Sequence, residues 1–222
     1  LPRQDSFHHT QDRLGISGAL QFRPNDDLEF GVNWVHSEFN ATVDAYNAFA
    51  QFRRSSPWGF DAITVNEITL DEAGNFDGVG LRTESRQQID ETKFDQLTGD
   101  FRWDLNDNLQ LTGMVGQASS KFDEDYFRVN IETPKPGTNF TYDFTGDPDV
   151  ALIDYDIDVA SPSNYFIMTN NEDILQYGVD RTNDTARLDL VWTLNDVHSL
   201  NFGGIYNDRE VDSKQYRSTS AV

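Results

Sequence analysis

The sequence predicts an all-β chain built from long antiparallel strands. Two observations carry this: a hairpin with clean alternation on both sides of its turn, and the return of that hairpin twice further along. In residues 13–37, Leu14, Ile16, Gly18, Leu20 and Phe22 share one parity, and Arg13, Gly15, Ser17, Ala19, Gln21 and Arg23 share the other. After the turn, Leu28, Phe30, Val32 and Trp34 alternate with Glu29, Gly31 and Asn33. Side chains along a strand point to opposite faces in turn, so each strand has one apolar and one polar or small face. Pro24-Asn25-Asp26-Asp27 supplies the turn, because Pro fixes φ and Asn and Asp bond back to the local backbone.

The second copy, residues 97–117, turns at Asn106-Asp107-Asn108, and the third, residues 185–207, turns at Asn195-Asp196. In each copy an aromatic precedes the turn on the apolar parity: Phe22, Trp103 and Trp192. The period is roughly eighty to ninety residues, far longer than a solenoid unit. The predicted architecture is three hairpins, about six long strands, joined by short turns at one end and long loops at the other.

Composition excludes several function classes. The net charge is −21, with 17 basic against 38 acidic residues, so a nucleic-acid surface of clustered Lys and Arg is not expected. There is no Cys, which removes disulfides and thiolate metal sites. Aromatics make up 13%, too many for a disordered acidic chain. No apolar run approaches the ~20 residues of a membrane helix. Barrel strands, needing only ~9–11 alternating residues, leave no such run to find.

Residues 1–12 read as a polar tail of a preceding loop. His8-His9 is not read as a metal pair, since adjacent strand residues point apart. Residues 40–92 and 119–183 read as two long loops. Within them, 63–70, 126–131, 140–144 and 151–159 have strand character, and 71–78 reads as a hairpin tip. Asp154, Asp156 and Asp158 resemble the start of a calcium loop, but Val159 and Tyr165 stand where Gly and Glu are needed. A strand with one solvated acidic face is the better reading. No nucleophile elbow, zinc-protease or phosphate-loop motif occurs, so the chain does not read as an enzyme, and no cofactor or metal site is expected.

The apolar faces can meet a second sheet, as in a soluble sandwich, or lipid, as in a membrane barrel. Phe22, Phe30, Trp103, Trp192 and Phe202 cluster beside the short turns on the apolar parity. Rings at that position suit headgroup depth. The predicted fold is therefore an antiparallel transmembrane β-barrel segment with short periplasmic turns and long extracellular loops.

The stretch Leu20-Gln21-Phe22-Arg23-Pro24-Asn25-Asp26-Asp27-Leu28-Glu29-Phe30, followed by His36-Ser37-Glu38-Phe39, resembles the barrel of TonB-dependent outer-membrane receptors. Tyr142 to Asp147 and Asp158 to Tyr165 resemble a loop segment of the carbohydrate-scavenging branch found in bacteria related to Caulobacter and Xanthomonas. The resemblance implies an internal barrel piece with six of about 22 strands, lacking the N-terminal plug domain and the C-terminal aromatic strand. It implies location in the bacterial outer membrane, contact with its lipid, coupling to the TonB complex through the plug, and active import of a bulky solute. An oligosaccharide is the expected solute. A siderophore or other metal chelate is the alternative. A soluble carbohydrate-binding β-sandwich and a passive barrel or adhesin are readings from other classes. Sugar rings stack on aromatics, and 40–92 and 119–183 offer Trp58, Phe60, Tyr126, Phe127, Tyr142, Tyr155, Tyr165, Phe166 and Tyr177. The ligand-binding assignment is Trp58, Phe60, Tyr142 and Tyr165, with Trp58 and Tyr165 foremost because turn residues surround both.

Overall fold

A computed structural model describes residues 3–52, 63–69, 72–134 and 137–220. The described chain is all-β apart from one turn of 3-10 helix at Pro162–Asn164. Its strands are β1 (Arg3–Asn25), β2 (Leu28–Gln51), β3 (Thr64–Thr69), β4 (Ala73–Asn106), β5 (Leu109–Glu132), β6 (Thr138–Asp143), β7 (Leu152–Tyr155), β8 (Phe166–Thr193) and β9 (Ser199–Ser220). The six long strands lie side by side as β1-β2-β4-β5-β8-β9, every pair antiparallel. Among the described residues β1 and β9 each pair on one side only, so the sheet is open.

The three Asn turns lie together at one end, here called the lower end. The Asp104 amide donates to the Asp27 carbonyl at 2.7 Å, and the Thr193 amide donates to the Asn108 carbonyl at 2.8 Å, linking neighbouring turns. Each turn closes in the same way. Asn25 Oδ1 accepts from the Asp27 amide at 3.0 Å, and Asn106 Oδ1 from the Asn108 amide at 2.9 Å. Asn195 Oδ1 accepts from the amides of Val197 and His198 at 3.0 and 2.9 Å. These are the local side-chain-to-backbone bonds for which Asn is favoured in turns.

The strands run well past the ends expected from apolar alternation. Residues 40–51 and 73–92 are strand, as are 119–132 and 166–183, so much of what read as long loop is sheet. β1 likewise begins at Arg3, pairing with Phe49, where a loop tail was expected. The reason is that the backbone ladder needs only pairing, and polar side chains sustain it across strands. His36 Nδ1 lies 2.7 Å from Asp95 Oδ1, Gln117 donates to Asp184 at 2.9 Å, and Gln176 donates to Asp125 at 3.0 Å. No proline interrupts β2, β4, β5, β8 or β9.

At the upper end the first residues of β4 leave the main sheet and pair with β3 and β6, and β6 pairs with β7. The expected hairpin tip at 71–78 is thus largely strand. Asn75 and Asp77 hold it there through bonds to Asn66 and Asn139. Gly78 takes a φ of 78°, a region open to glycine, where the β4–β6 register shifts. This small sheet closes over a core of Ala50, Phe76, Val79 and Phe140, with Phe52, Ile63, Tyr142, Ile153 and Tyr155 against it.

Candidate functional site

Residues paired directly across an antiparallel ladder share a face. The registers therefore sort the long strands' side chains into two faces without ambiguity. On one face a row runs Phe22, Phe30, Phe101, Gly113, Leu188 and Gly204, with Leu20, Val32, Gly99, Val115, Ala186 and Tyr206 above it. Below lie Leu28, Trp103, Leu111, Leu190 and Phe202. This apolar band spans 7–9 residues per strand, close to the ~9–11 that a tilted strand uses to cross a bilayer. It is open to solvent: Leu20 is 70% exposed, Val115 63% and Phe202 57%. Among the described residues no second sheet covers it.

The band gives way above this. The row of Trp34 and Leu97 also holds Gly18, Gln117, Asp184 and Asp208, and the next row of the same face is Ile16, His36, Asp95, Ser119, Thr182 and Glu210. Above that come Leu14, Glu38, Lys93, Lys121, Asp180 and Asp212. From β2 to β9 one face of one continuous sheet thus changes from apolar to largely charged across one mixed row. A groove of about 740 Å³ crosses the band beside Gly99, Ala186 and Gly204 on the apolar side.

The opposite face is polar from the turns upward. Every arginine on the long strands belongs to it: Arg3, Arg13, Arg23, Arg82, Arg86, Arg102, Arg128, Arg181, Arg187, Arg209 and Arg217. The lysines on those strands, Lys93, Lys121 and Lys214, all belong to the other face, above the band. Near the turns the arginines are neutralised within their own strands, Arg102 by Asp104 at 3.0 Å and Arg187 by Asp189 at 2.5 Å.

Higher on the polar face a denser cluster forms. Asp173, with its side chain 7% exposed, accepts from Arg217 at 2.6 and 2.8 Å and from Arg128 at 3.1 Å. The Arg217 hydrogen bonds hold its carboxyl below the ordinary carboxylate value. Arg82 reaches Glu84 at 3.7 Å and Glu132 at 3.9 Å, and Arg128 reaches Glu84 at 3.7 Å. Arg86 stands directly opposite Arg128. Tyr126 occupies the next row down on the same face, beside Gln88 and Leu175.

Of the residues assigned to ligand binding, Tyr142 and Tyr165 lie among the described residues. Trp58, Phe60 and the ring of Phe166 lie outside what the structure describes. Tyr142 belongs to the small upper sheet, its ring stacked on Phe76 at 6.0 Å and beside Phe144 at 6.1 Å. Tyr165 is half-buried, and its hydroxyl donates to the Val159 carbonyl at 2.8 Å. Burial, with the Asp158 charge adding to it, pushes its phenol up. Tyr155 packs on Phe140 at 5.3 Å, and burial pushes its phenol up to about 12.

Tyr126 and Tyr177 are strand residues on the polar face rather than loop residues, and Phe127 faces the other way. His8 and His9 lie on opposite faces of β1, opposite Asp44 and Val43. The acidic alternation at 151–159 is strand only to Tyr155. Asp156 and Asp158 lie in the following turn, where Asp158 Oδ1 accepts from the Ala160 amide at 3.0 Å. Among the described residues no helix is long and apolar enough to cross a membrane, which bears on helices alone.

Sequence reasoning missed the arginine cluster because Arg82 and Arg86 fell in a segment read as loop, and Arg128, in a short stretch of strand character, had no partner strand assigned. The signal was available in the arginine parities once those segments are strands. Neither the protein-family models nor the curated proteins give a match to this chain.

Proposed function

We propose that this chain is part of the wall of a TonB-dependent outer-membrane receptor that imports a bulky solute, an oligosaccharide. The observation that supports this best is the change, across one mixed row, from an apolar band to largely charged rows on one face. A sandwich has no use for such a boundary: its buried face stays apolar to the end of the layer. A wall crossing a bilayer needs apolar residues only at hydrocarbon depth, and rings at the edges. Phe22, Trp103 and Trp192 stand at the lower edge and Trp34 at the upper.

In this reading the polar face lines the lumen, and the strands above the band carry the barrel beyond the membrane. The small upper sheet then stands at the extracellular mouth, where loops of such barrels meet their solute. Coupling to TonB and the choice of an oligosaccharide rest on the sequence resemblance.

The test is to express the complete reading frame in a Gram-negative host. Membrane fractionation and heat-dependent gel migration report on barrel assembly. Uptake of labelled oligosaccharides and of ferric chelates, with and without a functional TonB system, reports on transport. The reading expects outer-membrane recovery and TonB-dependent glycan uptake. Recovery as a soluble protein overturns the membrane assignment. Chelate uptake without glycan uptake overturns the solute.

A further inference from the structure

We propose that Arg86, beside Arg128 on the polar face, binds a carboxylate carried by the solute, so that the oligosaccharide is an acidic one. This rests on the import reading above.

The two arginines are directly paired across β4 and β5, with their side chains on the same face. Like charges directly opposite one another destabilise a sheet unless something offsets them. Arg128 is partly offset by Asp173 at 3.1 Å and Glu84 at 3.7 Å. Arg86 has no hydrogen bond or ion pair among the described residues. The Nε atoms of both arginines are buried without a hydrogen-bond partner. Two facing guanidinium groups, one of them with no acid beside it among the described residues, are an arrangement that an incoming anion offsets.

The planar guanidinium fork matches a carboxylate in geometry and can donate two parallel hydrogen bonds to it.

A sugar ring has a platform within reach. Tyr126 lies one row below Arg128 on the same face and is half-buried. A ring stacked on Tyr126 would present a carboxylate substituent towards the arginine pair, an aromatic and a cation serving one acidic sugar. The segregation of strand arginines to this face fits the same purpose. Lysine, a hydrated point charge, stands on the other side.

The experiment uses the protein from its complete reading frame, folded in detergent and checked by heat-dependent migration. Three probes are titrated: a glucuronate-bearing oligosaccharide, its methyl ester, and ferric citrate. Variants are Arg86→Gln and Arg86→Lys. The proposal expects the acid to bind about tenfold or more tighter than the ester. It expects Arg86→Gln to abolish that preference, and Arg86→Lys to restore part of it. Equal affinity for acid and ester, or an unchanged preference in Arg86→Gln, overturns the proposal and leaves the import reading standing. Arg86-dependent binding of ferric citrate alone overturns the acidic sugar. Binding of none of the three, with no uptake by cells, overturns the import reading itself.

Discussion

The ring of Phe101 fills the space beside Gly113, its direct partner on the neighbouring strand, where a side chain would otherwise stand. A glycine in a strand interior leaves a gap and a freer backbone. An aromatic from the adjacent strand closes that gap on the apolar face. The pair should therefore be energetically coupled. Gly113→Val must push the ring aside, and Phe101→Ala must uncover the glycine. A double-mutant cycle by urea unfolding from phospholipid vesicles should give a coupling of about 0.5–1 kcal/mol. Additive effects would mean that the contact contributes nothing.

Leu188 and Thr112 lie at neighbouring depth on opposite faces: Leu188 pairs with Gly113, and Thr112 lies between Arg102 and Asp189. If the apolar face meets lipid, Leu188→Lys should cost about 2–4 kcal/mol, as a charge near the bilayer midplane does. Thr112→Lys, facing water beside one acid and one base, should stay within about 0.5 kcal/mol of the parent. Refolding into vesicles with urea titration measures both. Leu188 is 52% exposed in the sheet as it stands. For a soluble protein, Leu188→Lys would be close to neutral, and that outcome would remove the membrane.

These contrasts show what the sequence could and could not tell. Within the band every strand was legible, because apolar alternation and the Asn turns write face and register directly. Alternation fades above Trp34, Leu97, Val115 and Ala186, and there the strands were lost. The ladder continues on bonds such as His36–Asp95 and Gln117–Asp184, which leave no hydrophobic period. Proline gave the better boundary. Among the described residues Pro134, Pro148 and Pro162 fall outside the strands, and Pro24, next to its turn, falls within one. The Arg86–Arg128 pairing needed the register of β4 on β5, which no local pattern supplies. Tyr142 was legible as a strand residue, but its packing on Phe76 comes from distant segments meeting in the upper sheet.

Asp173 is the hinge of the polar cluster, and its removal should be felt as both lost bonds and uncompensated charge. Asp173→Asn should destabilise the folded sheet by about 1.5–3 kcal/mol, the range for hydrogen bonds to charged groups. The pH dependence has a definite sign. The folded-state carboxyl titrates below its ordinary value of 3.8, chiefly through the Arg217 hydrogen bonds. Its contribution is therefore present above that value and is lost as pH falls through the lower folded value. The difference between parent and variant should shrink in strong acid. A difference that holds constant down to full protonation would assign the effect to packing.

Tyr155 gives the upper sheet an alkaline limit. Its ring is part-buried against Phe140, and its phenol is raised from 10.0 to about 12, first by burial and second by the neighbouring Tyr165. A raised folded value means that the neutral form is the one the fold accommodates. The resulting stability is complete below the unfolded value of 10.0 and is lost as pH rises through about 12. Between those limits β6 and β7 should loosen from the Ala50–Phe76–Val79–Phe140 core. The long strands, whose ladder does not depend on this ring, should stay intact. Phenolate absorbance should show a late-titrating tyrosine that is absent in Tyr155→Phe. Hydrogen exchange of residues 138–143 and 152–155 should accelerate over the same pH interval, beyond the intrinsic rise that base catalysis gives every amide. In Tyr155→Phe the excess should vanish. An excess that survives the substitution, or that appears equally along β5 and β8, would place the alkaline transition elsewhere.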